Sequence, residues 1–443
     1  MTAGRGAWLG HGFWNTLEHA VTRFADALTT MIVLWVIPPE IFSRLAIAQA
    51  TVAPVLFFFL SPEAVIYRDY GKWKLSGTGE LAARVRAFRL FGWAKAEAAL
   101  AIAAGAAMFF PGEAGRDARF WTLIWAFSLA LAPQIAGPDR EFLRLSLRLR
   151  ELGAITFYQK LVLLAGTAAV AVLVPAGPAL IMPIALVAAF SALSTALISW
   201  WRACLVLQSF GALRDDLRGR TGPSPIATIS EAVRTFSVWS HFSGVIANWV
   251  QTMDLFFIGV FGIPAREAGL YAAAHKIAGF SFALPSALAN LFSIWIGRRP
   301  EVADGEASEV KRLSFGLFGV CLLQAGVLVA LGPWIISLFS HGRWNDAERA
   351  LMYNWLCWLT GGGVIIASTY IASSWLVLRG WIVGLFFRIY IPWAFFCIFI
   401  YALAVWKGGL DGAAMCAVVA SWGFFLLLLL FVKVTGVPVR NVK

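Results

Sequence analysis

Asp254 opens the apolar run Asp254-Leu-Phe-Phe-Ile-Gly259. Beyond a Gly-Ile-Pro turn, His275 and Lys276 follow Gly269-Leu270-Tyr271 and three alanines. A carboxylate, an imidazole and an amine in such surroundings are groups that lipid excludes, so they mark a binding site or an ion pathway. Asp254, with Gln251 and Thr252 beside it, has the chemistry to take up a proton or a sodium ion and to couple that uptake to movement of a second solute. Arg23 and Lys276 are the deepest cations, and each must meet a carboxylate, a wet cavity or an anionic ligand. Asp26 stands one turn from Arg23, and Asp254 stands across the reversal from Lys276. Internal pairing and anion binding are therefore both open readings of these cations.

Polar residues also recur on single helical faces. Arg234, Ser237, His241, Gly244, Asn248 and Gln251 follow alternating steps of three and four, and Asn15, His19, Thr22, Asp26 and Thr29 do the same. Such stripes either line a polar cavity or bond neighbouring helices together, the latter contributing about 1 kcal/mol or less per contact. Acid-base or metal chemistry would need clustered ligands. The five histidines (His11, His19, His241, His275, His341) are dispersed, and the connections expected outside are too short for a catalytic domain. No catalytic or metal-binding residue is therefore assigned, and no cofactor beyond a coupling proton or sodium ion.

Elements must carry these residues through lipid. With 443 residues, 60% hydrophobic content, 14% charged residues and a mean hydropathy of +0.75, the chain reads as an all-α polytopic membrane protein. At roughly 20 residues per crossing, apolar windows predict about a dozen spans, at 10–37, 40–66, 88–110, 118–138, 156–174, 178–201, 231–261, 268–297, 312–339, 349–378, 382–406 and 410–432. The first is a retained span rather than a signal peptide. The net charge of +12 resides mostly in the connections, where it sets topology rather than binding nucleic acid. Basic clusters such as Arg68, Lys72 and Lys74, or Arg140, Arg144 and Arg148, alternate with connections that hold few basic residues, such as Arg44, Arg266 or Lys407. That bias places both termini in the cytoplasm. Two basic amphipathic segments, Glu80–Trp93 and Arg140–Leu152, read either as interfacial helices or as the exposed ends of neighbouring spans.

A shift of 226 residues lays Pro38 on Pro264, Ser43 on Gly269 and Ala46 on Ala272, so the chain divides into two weakly similar halves. The expected organisation is a six-helix lobe over 1–213, a cytoplasmic linker over 214–228 and a second six-helix lobe over 229–443, related by a parallel pseudo-twofold repeat. Sites then fall to polar residues of both halves: Arg23, Asp26 and His19 from the first, with Arg234, His241, Asn248, His275 and Lys276 from the second.

The hairpin Asp254-Leu-Phe-Phe-Ile-Gly259 followed by Gly269-Leu270-Tyr271-Ala272-Ala273-Ala274-His275-Lys276-Ile277 resembles the signature of the polysaccharide transporter (O-antigen flippase-like) family, within the multidrug/oligosaccharidyl-lipid/polysaccharide exporter superfamily. Pro39-Glu40-Ile41-Phe42-Ser43 and the Leu338-Phe339 region extend the likeness. The resemblance implies a flippase of the bacterial inner membrane. A lipid-pyrophosphate-linked oligosaccharide would enter a cationic cavity and leave by rocking of two lobes, with Arg23 and Lys276 toward its anionic head group. Membrane lipids and polysaccharide assembly enzymes are the implied partners. Two rivals stand beside this reading: a cation-coupled drug or metabolite antiporter of the same superfamily, and a membrane glycan polymerase or acyltransferase.

Overall fold

The computed structural model describes residues 5–55, 63–109, 116–175, 178–209, 224–234, 238–297 and 306–435, and all regular structure among them is helical. The described residues of the twelve expected spans are mostly helical; residues 56–62, 110 and 235–237 of those spans lie outside the described residues. The first helices are α1 (Arg5–Val36), α2 (Pro39–Val55), α3 (Glu63–Ser76), α4 (Thr78–Phe109), α5 (Arg116–Leu145), α6 (Leu149–Leu173), α7 (Ile181–Ser209) and α8 (Pro225–Ala232). They are followed by α9 (Val238–Val250), α10 (Met253–Val260), α11 (Ala265–Ala278), α12 (Ala283–Gly297), α13 (Glu306–Ser340), α14 (Asp346–Ser368), α15 (Tyr370–Leu378) and α16 (Ile391–Thr435). Six helical stretches of the described residues are long and apolar enough to cross a membrane, and the last runs through Gly409. There φ is +57° and ψ is −136°, so α16 is two helices meeting at a residue without a side chain.

Local chemistry sets the ends. Pro39 occupies the first turn of α2, where a missing N–H costs nothing. Asn345 and Glu348 cap α14 reciprocally, each side chain accepting from the other's backbone N–H. Ser224 caps α8 ahead of Pro225. Of the expected linker 214–228, residues 214–223 lie outside the described residues.

The helix surfaces are built for lipid. Phe395, Phe399, Leu403 and Trp406 are exposed along one side of α16, and Leu323, Val327, Leu331 and Trp334 along one side of α13. A water-soluble protein would bury such stripes. Small residues face inward instead, as in the fully buried Ala272, Ala273 and Ala274 of α11.

Two compact units result. One gathers the described residues of Met1–Thr29, Val55–His241 and Ile294–Pro300, the other those of Thr30–Pro54, Phe242–Ser293 and Glu301–Lys443. In the first, α5 packs on α4 and α7, and α7 on α6; in the second, α14 packs on α11, α13 and α16. The two segments read as amphipathic and basic prove to be parts of long helices. Glu80–Trp93 is the beginning of α4. Arg140–Leu152 is the end of α5 and the beginning of α6, separated by a turn in which Leu147 takes φ +60°. Neither is a separate helix: α4 continues to Phe109 and α5 begins at Arg116.

Candidate functional sites, one in each unit

In the second unit the expected continuous seventh span is broken. Helix α9 stops at Val250, Gln251 and Thr252 form a turn, and α10 starts at Met253. The Thr252 N–H bonds the Trp249 carbonyl at 2.9 Å, and its hydroxyl donates to the same oxygen at 3.2 Å, which tightens the last turn of α9. Asp254 thereby falls in the first turn of α10, where free N–H groups and the helix dipole favour a negative charge. Its carboxylate is 2% exposed. Oδ1 accepts from the Leu255 N–H at 2.8 Å, and Oδ2 accepts from the Tyr271 hydroxyl at 2.7 Å.

His275 comes from the same face of α11, one turn beyond Tyr271. Its Nε2 lies 3.6 Å from Asp254 Oδ2 and 2.9 Å from the Gln251 carbonyl oxygen. The ring thus bridges the carboxylate and the break in the helix. Gln251 contributes this carbonyl rather than its side chain, which is exposed. Lys276 does not approach Asp254 as an ion-pair partner. One residue further round the helix, it points at α2, where Nζ donates to Gln49 Oε1 at 2.8 Å. Behind the site, Tyr271 packs against the Trp355 ring at 5.6 Å, and Trp355 Nε1 donates to Asp411 at 2.6 Å.

The first unit holds a polar cavity of about 260 Å³, lined among others by Thr22, Arg140, Glu141, Thr156, Gln159 and Lys160. Asp26 pairs with Lys160 of α6 at 2.6 Å rather than with Arg23. The Lys160 side chain turns inward to meet this carboxylate. Arg23 makes no ion pair with any described residue.

Glu18 was not among the expected site residues and is the most enclosed acid of this cluster. It accepts from Arg140 at 2.7 Å, from Arg144 at 3.0 Å and from the Thr156 hydroxyl at 3.3 Å. Its signal was in the sequence. Glu18, Thr22 and Asp26 are spaced by four, as are Arg140 and Arg144, but nothing local says that α1 and α5 meet. His19 is half-buried beside Glu18. The longer stripe divides: Arg234, exposed, and His241, buried, belong to the first unit, whereas the exposed Asn248 belongs to the second. Ser237 lies outside the described residues.

Carboxylates that share their oxygens with hydroxyls, an imidazole and amines inside an apolar bundle can bind and release small cations. They also supply the polar footing for a solute. Both properties suit a transporter, and solved structures give that idea a fold. No protein-family model matches the chain and no curated protein matches it in sequence. Among solved structures, an outward-facing multidrug resistance MATE family transporter of the MOP superfamily aligns over 97% of this chain and 96% of its own, with a TM-score of 0.66 at 13% identity. The fold is that of a MATE transporter. The eukaryotic MATE transporter AtDTX14 aligns over 96% of both chains (TM-score 0.64, 13% identity). A mutant of the Vibrio cholerae MATE transporter VcmN covers 97% of both (TM-score 0.60, 11% identity). These likenesses extend over nearly the whole chain and concern the fold.

Proposed function

We propose that this chain is a cation-coupled exporter of organic solutes, a multi-pass protein of the cell membrane that works by alternating access. The observation that carries the reading is the setting of Asp254: a buried carboxylate at the break of a transmembrane helix, held by Tyr271 and facing His275 in a MATE fold. Proton or sodium uptake there removes or neutralises the acceptor of the Tyr271 and Leu255 hydrogen bonds. The packing of α10 on α11 thus depends on the state of the site. A cation gradient can then bias the two states of the carrier by its difference in affinity for them. The multidrug transporter among the solved structures makes drug-like solutes the first substrates to try.

Purified protein in liposomes with an imposed proton or sodium gradient should accumulate ethidium, and Asp254→Asn should abolish the gradient-driven part. Undiminished accumulation by a properly folded Asp254→Asn variant would sink the coupling role.

A second reading is translocation of a lipid-pyrophosphate-linked oligosaccharide. It is favoured by the Asp254–Ile277 hairpin sequence and by Arg23, a half-buried cation with no ion pair among the described residues. Deletion of the gene should then remove a surface polysaccharide and leave drug susceptibility unchanged; the reverse pattern supports the exporter of organic solutes.

A further inference from the structure

Three turns of the second unit meet through one arginine. Arg266, in the first turn of α11, directs Nε to Glu348 Oε1 at 2.8 Å and Nη1 to Glu40 Oε1 at 3.5 Å. Glu40 belongs to the first turn of α2 and Glu348 to the first turn of α14, so one guanidinium joins the starts of three helices. The geometry is prepared in advance. The second oxygen of Glu348 is held by the Asn345 N–H at 3.0 Å, which leaves Oε1 turned to Arg266.

Contacts of other kinds hold the 30–54 hairpin in the same place. A Cβ on Gly269 would stand 2.1 Å from the Pro39 carbonyl oxygen, so α11 touches the backbone of α2 directly. The Trp35 ring lies 4.8 Å from that of His341, and its Nε1 donates to the Leu338 carbonyl at 3.2 Å. Deeper along α2, Ile47 fills the space beside Gly259, and Gln49 accepts from Lys276. Of all these contacts, the Arg266 pairs alone are charged and near water, with Arg266 and Glu40 both about half exposed.

We propose that Arg266 is the pin of an ionic latch that keeps the α2 hairpin seated on α11 and α14, and that opening this end of the second unit requires both of its ion pairs to break. The proposal rests on the alternating-access reading for its use in transport, but the latch itself is a property of the resting protein. Its reach is set by geometry. An arginine fork engages two carboxylates from different directions, which a lysine cannot do equally well. Exposed pairs of this kind are individually weak and screened by salt, so the latch tunes a population rather than locking it.

The test is the accessibility of a buried position on the helix that the latch holds. Ser43 is 2% exposed and lies one turn beyond Pro39 on the same face of α2. In protein lacking the five native cysteines and held in lipid nanodiscs, Ser43→Cys reports opening through its rate of reaction with a membrane-impermeant maleimide. Ala196→Cys, at a position 2% exposed in α7 of the first unit, reports general loosening. Adding Arg266→Ala should speed labelling at position 43 about 3- to 10-fold and leave position 196 unchanged. Glu40→Gln, which keeps the Arg266–Glu348 pair, should give a smaller rise, and Arg266→Lys a rise between wild type and Arg266→Ala. Unchanged labelling at position 43 in both Arg266→Ala and Glu40→Gln, or an equal rise at position 196, overturns the latch. No substrate is present in this measurement. A protein that transports nothing yet shows the expected labelling would therefore lose the exporter reading and keep the latch.

Discussion

Glu18 and Asp26 are two acids of one helix with different consequences. The Glu18 side chain is 5% exposed and is the common acceptor of two arginines, so replacing it with Gln leaves Arg140 with the Thr156 hydroxyl and Arg144 with Glu141. Loss of one partner from a buried pair typically costs about 3–5 kcal/mol. Asp26 meets Lys160 at 2.6 Å but is 42% exposed, so water and salt screen that pair and its loss costs about 0.2–1 kcal/mol. Thermal unfolding in detergent should therefore show a large fall in midpoint for Glu18→Gln and a small one for Asp26→Asn; equal falls would mean that the two environments do not differ as drawn. Sequence made Asp26 visible, because it stands in an apolar stretch with an evident face, but not its partner. Proximity along the chain favoured Arg23, whereas the true partner arrives from α6. The same limit applied to Lys276, for which the hairpin suggested Asp254 and the structure supplies Gln49. Residue identity reveals that a buried charge needs an answer, but the answer is a tertiary fact.

At the scale of elements, hairpins were legible and breaks were not. Pro39 and Pro264 start helices after tight turns, and the 226-residue correspondence pairs the two turns that the structure packs together through Gly269 and Pro39. That contact makes a sharp prediction. Gly269→Ala would force a methyl group into a carbonyl oxygen that cannot turn aside, because Pro39 is fixed in the first turn of α2. Overpacking of this kind costs about 1–3 kcal/mol. Gly279→Ala is the control. Its φ is −55° and a Cβ there meets nothing within 4 Å, so the substitution should be neutral or slightly stabilising. Folded yield and unfolding temperature compare the pair, and equal behaviour would remove the close approach from the account. The break at Gln251 and Thr252 had no such signal, since neither residue stops a helix by itself. It follows from the demands of Asp254 and His275, one needing a helix N-terminus and the other an exposed carbonyl. The amphipathic pattern of Glu80–Trp93 left two readings open for a related reason. A helix that leaves the membrane carries basic residues on its protruding turns, and over a short window that pattern equals one lying on a surface.

For the whole molecule, the charge distribution ties orientation to the number of crossings. The connection carrying Arg68, Lys72 and Lys74 follows the second span, and the turn before Asp346 follows the ninth, so an odd number of spans separates them. They must lie on opposite sides of the membrane if every helical stretch crosses. The positive-inside bias predicts the α3 cluster on the cytoplasmic side and the α13–α14 turn outside. Both places are open to reagents, the Lys72 side chain being 73% exposed and that of Asp346 95%. In intact cells making protein without its native cysteines, Asp346→Cys should react with an impermeant maleimide, and Lys72→Cys should react only after the cells are broken. The reversed pattern would invert the protein and move the Arg266 latch to the cytoplasmic end. Labelling of both in intact cells would mean that one stretch between α3 and α14 fails to cross. The spans at risk are those of α4 and α5, whose ends carry the basic residues that form ion pairs in the first unit: Arg84 with Glu80 and Glu231, Arg89 with Asp139, and Arg140 with Glu18. Those pairs offset the charge that would otherwise oppose insertion of these two helices, which stand outside the six most apolar stretches of the described residues.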